Sequence, residues 1–296
     1  MIRRGLASLA QIAAISVIAF YLFSVVPGDF YSGSALDPQV RAKSVAEWRE
    51  SHGLNRPWPV RYAMWLRSCA RGDFGTSVAY GMPVSKLIAP RIGRSAAVIF
   101  PSWIAAWILG AGLAFVGARR KSRSLESAMT VANMIPEVIV VSLLLWLAVT
   151  CGAALSGAWL PMLALTCVVA PLVFLHAYSA LAAASDANFV RLAISRGIAP
   201  ARLWKRFIFP AAANPLLSLL GPSLAAAVGS SLIIEAMTGW PGLGPWFLEA
   251  VQARDYEAVQ AVVVVLAFFL TLTNFAADLI LYRTDPRIRL PHDGAN

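Results

Sequence analysis

Charge is what this chain has least of. Only 14% of its 296 residues are Asp, Glu, Lys or Arg, 58% are hydrophobic, and the mean hydropathy is +0.66. A soluble domain carries about 25% charged residues, so that class is excluded. Lysine is scarcer still, with four residues, preceded by Ala42, Ser85, Arg120 and Trp204. A phosphate-binding loop of the Walker type needs Gly before its Lys so that backbone N–H groups and the amine reach the phosphates together. None of the four satisfies this, so nucleotide hydrolysis by such a loop is excluded. The three cysteines, Cys69, Cys151 and Cys167, lack metal-ligand spacing. His176 stands without the acid and the Ser or Cys that a catalytic set requires.

What is present is a series of charge-free runs: Gly5 to Gly28, Ser95 to Ala118, Val138 to Ser185, Phe207 to Ile234 and Ala258 to Ala277. A membrane-spanning helix needs about 20 apolar residues. The third run is 48 residues long and is punctuated by Gly152, Gly157 and Pro161, so it supplies most of two spans. Six helices are expected, over 5–26, 95–118, 127–149, 159–182, 211–234 and 258–282. The first is read as retained, because Gly5 to Val26 exceeds the apolar core of a signal peptide and Pro27-Gly28-Asp29 is no small-x-small cleavage site. The fold class is therefore an all-α membrane protein.

Basic residues fix the expected orientation. With the N-terminus in the cytoplasm, the inner segments carry fourteen Lys and Arg and the two short outer loops only Arg254, which places both termini inside. The other ten lie in the long first outer loop, 27–94, whose length weakens the rule. The formal charge of +10 is thus a topology signal, and the basic residues form no single face for a nucleic acid. Cys69 and Cys151 both fall near the outer side, where a disulfide is chemically open.

The inner segment 186–210 is basic and interrupted by a turn. Phe189, Leu192, Ala193 and Arg196 form an amphipathic piece ending at Gly197, and a second piece restarts at Pro200. Ser185 or Asp186 is expected to cap the first piece. Leu203, Trp204 and Phe207 give the second an apolar face, and Pro210 is expected to close it. Such a helix pair reads as a cytoplasmic docking element, with a solvated basic loop as the plainer alternative. In the outer loop, Tyr62, Trp65, Leu66 and Cys69 share one helix face at i, i+3, i+4 and i+7. That helix either offers its polar side to a partner or covers the outer surface. In Arg71 to Ser77, Gly72 and Gly75 are expected to serve turns and Asp73 to cap. Glu137, beside Pro136 and some ten residues into the third helix, faces either a cavity or a polar partner on a neighbouring helix. Gly221, Ala225 and Gly229 form a small-residue stripe for close helix contact, with Pro222 loosening the helix beside it. Trp240-Pro241-Gly242-Leu243 suits a type II turn, followed by Gly244.

The chain resembles the membrane-spanning permease subunits of bacterial binding-protein-dependent ABC importers, in the dipeptide/oligopeptide/nickel family and its first-subunit branch. The resemblance rests on VPGD at Val26 to Asp29, HGLNRPWPVRYAMWL at His52 to Leu66, RGDFGTS at Arg71 to Ser77, WPGLG at Trp240 to Gly244, ARDY at Ala253 to Tyr256 and DPRIRL at Asp285 to Leu290. The family signature EAA-x3-G-x9-I-x-L-P aligns with Arg191-Leu192-Ala193, Gly197, Phe207, Phe209 and Pro210. Arg191 replaces the acidic position, and the two Phe replace aliphatic ones.

The resemblance implies a type I importer permease fold: residues 1–26 as N-terminus and first helix, 27–94 as extracytoplasmic loop, 95–290 as transmembrane core with coupling segment 186–210, and 291–296 as tail. It also implies a non-catalytic subunit of the bacterial inner membrane, paired with a second permease, two ATP-binding subunits that hold ATP and magnesium, and an extracytoplasmic substrate-binding protein. Expected cargo is peptides or a related small solute, including nickel complexes. The coupling residues would be Arg191, Leu192, Ala193, Gly197, Pro200, Trp204, Phe207 and Pro210, and the pathway candidates Pro136, Glu137, Gly221, Ala225 and Gly229. A self-sufficient secondary transporter or channel is the competing class. It needs an internal repeat and a buried ion site.

Overall fold

The computed structural model describes residues 2–25 and 57–284. The VPGD motif, the HGLNR part of HGLNRPWPVRYAMWL, the DPRIRL motif and the 291–296 tail lie outside the described residues. Two compact units share the chain. One takes the described residues up to Ala96 with Pro241–Thr271, and the other takes Ala97–Trp240 with the described residues from Leu272 onward.

In the first unit, helix α1 (Ile2–Val25) packs against the short helix α2 (Trp58–Cys69). The seam is aromatic: Phe20 meets Tyr62 edge-on at 5.5 Å, Tyr21 meets Trp58 at 5.4 Å, and Ser16 Oγ and Tyr62 OH are hydrogen-bonded at 2.8 Å. Leu66, expected to share a face with Tyr62, Trp65 and Cys69, is exposed; those three are half-buried, a stripe narrower than the spacing allowed. A two-residue hairpin, β1 (Thr76–Ser77) with β2 (Met82–Pro83), runs directly into α3 (Val84–Arg120). That helix starts eleven residues before the expected 95, because Val84 to Arg94 contains only charges that a helix surface tolerates outside a bilayer. The unit is completed by α11 (Leu243–Gln252) and the first part of α12 (Tyr256–Thr284).

The second unit is built around α6 (Trp159–Asp186), its most buried helix. Gly110 of α3 lets the two backbones meet, since a Cβ there would lie 2.7 Å from Ala170 O. The expected third span is not one helix. It is α4 (Arg123–Met134) and α5 (Glu137–Thr150), bent by 95° at Ile135-Pro136. Proline forces its predecessor out of the helical region, and Ile135 takes ψ 123°.

The expected fifth helix is likewise two pieces, α9 (Phe209–Ser218) and α10 (Leu220–Thr238), parted at Leu219. Pro222 does not loosen α10; it sits in its first turn, where the missing N–H costs nothing. Between α6 and α9 lie α7 (Asn188–Ser195), α8 (Pro200–Leu203) and a π-helical turn, Trp204–Ile208. Among the described residues, four helices are long and apolar enough to cross a membrane: α3, α6, α10 and α12. The bent pair α4 and α5 makes a fifth if it is one span, and the apolar stretch of α1, Ala10–Leu22, is shorter.

Candidate functional site

Segment 186–210 forms the expected helix pair, and its joints can be read bond by bond. Helix α6 ends at Asp186, Ala187 turns extended (ψ 146°), and α7 begins without a side-chain cap. The expected caps are engaged elsewhere: Ser185 Oγ donates to Leu181 O at 2.7 Å, and Asp186 lies 3.7 Å from Lys121 Nζ. Gly197 takes φ +73°, its N–H donates to Ile194 O at 2.9 Å, and Ile198 N–H donates to Ala193 O at 3.2 Å. This pair of bonds is a Schellman stop, the geometry that favours glycine.

Pro200 opens α8, but Pro210 closes nothing. The helix widens by one residue, with Phe209 N–H reaching Trp204 O, and then continues as α9. A π turn shifts the hydrogen-bond register ahead of a residue that has no N–H, so the proline is absorbed.

The segment has two faces. Val190, Ala193, Leu203 and Ile208 are buried in one cluster with Ala114 of α3 and Phe174 and Leu181 of α6. Trp204 packs edge-on against Phe115 at 5.1 Å and lies 5.9 Å from Phe209, while Phe207 is half-buried. On the other face Phe189, Leu192 and Ile194 are exposed, beside exposed Arg191, Arg196 and Pro200. Of the amphipathic set read from sequence, Ala193 points inward and Phe189 and Leu192 outward.

Glu137 is half-buried at the first position of α5, directly after Pro136. Its charge therefore meets the N-terminal end of a helix, where backbone N–H groups favour an anion. That placement answers the cost expected of a carboxylate ten residues into a continuous span. Glu137 and Pro136 line a recess of about 500 Å³ with Asn133, Leu172, Ala226 and Ser230.

The small-residue stripe splits. Gly221 is buried where a Cβ would come 2.8 Å from Asn274 Oδ1 and 3.0 Å from Ala277 Cβ, so it permits a contact with the end of α12. Ala225 is half-buried, and Gly229 faces open space. Gly242 has φ −92° and caps α11, so the expected type II turn, which needs a positive φ there, is not formed; Gly239 carries the left-handed bend at φ +68°. Pro241 is exposed, Trp240 half-buried, and Gly244 lies buried inside α11.

Several polar contacts escaped the sequence reading. In the first unit, buried Asp255 accepts a hydrogen bond from Ser77 Oγ, one from Ala79 N–H at 3.2 Å and one from Ala258 N–H at 3.2 Å. It thus caps α12 and ties the ARDY motif to RGDFGTS, two motifs already singled out but not joined. Asp73 Oδ1 accepts from Gly75 N–H at 3.0 Å, and Gly72 and Gly75 have φ +79° and +87°, as expected of a turn. Tyr80 OH donates to Glu249 Oε2 at 2.6 Å, and this bond raises the phenol pKa above its ordinary value, with burial adding to it.

In the second unit, Trp103 and Trp107 both donate their indole N–H to buried Ser223 Oγ, at 2.9 and 3.0 Å. Their i, i+4 spacing was the available signal. Glu235 is fully buried in α10; it closes an apolar run, and no spacing marked it. His176 Nδ1 donates to Leu172 O within its own helix at 2.9 Å, and the three cysteines are free thiols.

The family described as "Binding-protein-dependent transport system inner membrane component" matches residues 102–290, and its N-terminal family matches residues 1–97. A "Probable peptide ABC transporter permease" of Sinorhizobium fredii is 27% identical, with 98% of both chains covered. The oligopeptide transport system permease AppB of Bacillus subtilis is 26% identical over 97% of this chain and 98% of that one. OppB of Salmonella typhimurium is 28% identical, again with 98% of both chains covered. Among solved structures, the inward-facing MetNI methionine ABC transporter matches with a TM-score of 0.59 at 19% identity, covering 67% of this chain and 96% of that chain.

Proposed function

The chain belongs to the family of binding-protein-dependent transport system inner membrane components, and from that premise we propose that it forms one half of a peptide-translocating pore that is completed and powered by other subunits. It is an inner-membrane transport subunit and shares the fold of an ABC importer permease. The peptide assignment follows the named substrates of relatives matched over nearly their whole length. Six spans with both termini inside follow from the apolar runs and from the fourteen-to-one distribution of basic residues. The chain itself performs no chemistry. ATP and magnesium belong to two partner ATPases, because no lysine here follows a glycine.

One observation carries the coupling role: segment 186–210 has one face within the core cluster of α3 and α6 and the other exposed. A displacement imposed on Phe189, Leu192 and Arg191 therefore reaches α3 and α6 through packed side chains and a rigid Schellman joint, where a solvated loop would absorb it. Glu137 and Pro136 are assigned to the pathway wall. Alternating access would change the recess they line, and Gly229, with open space beside it, is left for the partner permease.

Affinity purification of the tagged chain from its native membrane tests this directly. A second permease and two ATP-binding subunits are expected in stoichiometric yield, with ATPase activity stimulated by a peptide-loaded binding protein. A monodisperse chain that transports solute alone in liposomes would sink the reading.

A further inference from the structure

A recess of about 210 Å³ in the first unit belongs to none of the sites above. Arg61 and Trp65 of α2 line it from one side, and Tyr256, Glu257 and Gln260 of α12 from another, with Asp73 of the intervening turn also at its wall. Gln260 is only 4% exposed, and its Nε2 is buried without a hydrogen-bond partner; Trp65 Nε1 is in the same condition. Buried N–H donors are paired in nearly all folded proteins, and an unmet one is costly. Two such donors in the wall of one small recess, with a guanidinium beside them, favour an oxyanion there. Arg61 is held there by its position over the Phe20 ring, 5.6 Å from the centroid.

The same recess carries charge of the other sign. Asp73 and Glu257 bring two carboxylates to its wall. Gly75 leaves Glu257 its room, since a Cβ at that position would lie 3.0 Å from Glu257 Cγ. The volume suits one amino-acid-sized group and falls below the roughly 300–1,000 Å³ of sites for drug-sized ligands. We propose that this recess binds a small zwitterion, its oxyanion meeting Gln260 and Arg61 and its ammonium meeting Asp73 and Glu257. Both donor nitrogens sit inside the wall, so the oxyanion is met by a turn of the Gln260 amide about its terminal bond, while Trp65 borders the recess and senses the event. Two sources offer this chemistry: the ends of a short peptide or amino acid, with a carboxylate, and an ethanolamine phospholipid headgroup, with a phosphate.

The test uses the full-length chain in detergent, labelled with 5-fluorotryptophan, with the Trp65 resonance assigned by its loss in Trp65→Phe. Alanylalanine, its C-terminal amide, N-acetyl-alanylalanine and glycerophosphoethanolamine are titrated separately. Saturable movement of the Trp65 resonance with alanylalanine or with glycerophosphoethanolamine is expected, and the tighter of the two names the source. Removing the carboxylate should weaken binding about tenfold or more, as should Gln260→Leu. Glu257→Gln should weaken the zwitterion and leave N-acetyl-alanylalanine unchanged, a pattern that a folding defect does not produce. A Trp65 resonance indifferent to both zwitterions, or equally responsive to the amide, overturns the proposal. No partner subunit or transport step enters the measurement, so its failure leaves the transport reading standing.

Discussion

At the scale of single residues, Asp255 and Glu137 show how position decides what a carboxylate does. Asp255 is buried with three donors converging on it from the hairpin and from the first turn of α12. Loss of a helix cap costs about 1 kcal/mol, and loss of a bond to a charged acceptor about 1.5–3 kcal/mol. Asp255→Ala is therefore expected to destabilise the first unit by ~3 kcal/mol, seen as faster proteolysis between Arg71 and Met82; wild-type resistance would show that the cluster is dispensable. Glu137 holds its charge at a helix start beside an open recess. Glu137→Gln should assemble normally yet lower uptake by about tenfold, the effect of one lost bond to a charged group, whereas Glu137→Ala with reduced complex yield and Gln near normal would mark a structural carboxylate. Normal uptake in both variants would remove the residue from the pathway.

At the scale of elements, the informative places are the joints. The Gly197 joint holds φ +73° with open space around it, so a side chain there is penalised by backbone strain alone, at about 1 kcal/mol or more. Gly197→Val should insert and assemble while substrate-stimulated ATPase and uptake fall together by several-fold. Unchanged values of both would show that the Gly197 turn is not a rigid lever and would remove it from the proposed coupling role. Gly221 and Gly229 give the opposite test, since both lie in α10 and differ sharply in what lies beside them. Gly221→Ala forces Asn274 and Ala277 to shift and should cost about 1–3 kcal/mol in detergent stability, and Gly229→Ala, in the helix interior with open space beside it, should stabilise the isolated chain by about 0.5–1 kcal/mol. Equal effects would show that α10 and the end of α12 have slack at Gly221. The joint at Ile135-Pro136 follows the same logic: hydropathy read one span, and a single proline turned it into two helices at 95°.

At the scale of the whole molecule, orientation rests on the basic residues. In a background without native cysteines, an impermeant thiol reagent added to intact cells should label Leu248→Cys, 48% exposed on α11, and spare Ser124→Cys after α3; the reverse pattern would overturn the assignment of both termini to the cytoplasm.

The amino-acid sequence by itself determined which segments are apolar, where the helix pair of segment 186–210 turns at Gly197 and Pro200, and that no lysine follows a glycine. These are local properties, set by transfer energy, by the φ that only glycine takes cheaply and by a missing dipeptide. Tertiary structure decided what depends on partners distant in sequence. Ser77 finds Asp255, Trp103 and Trp107 share Ser223, and Pro210 is absorbed by a π turn while Trp204 and Phe209 pack on Phe115. It also split the Gly221 to Gly229 stripe into one filled contact and one open face, because four-residue spacing says which residues share a helix side and nothing about what stands opposite.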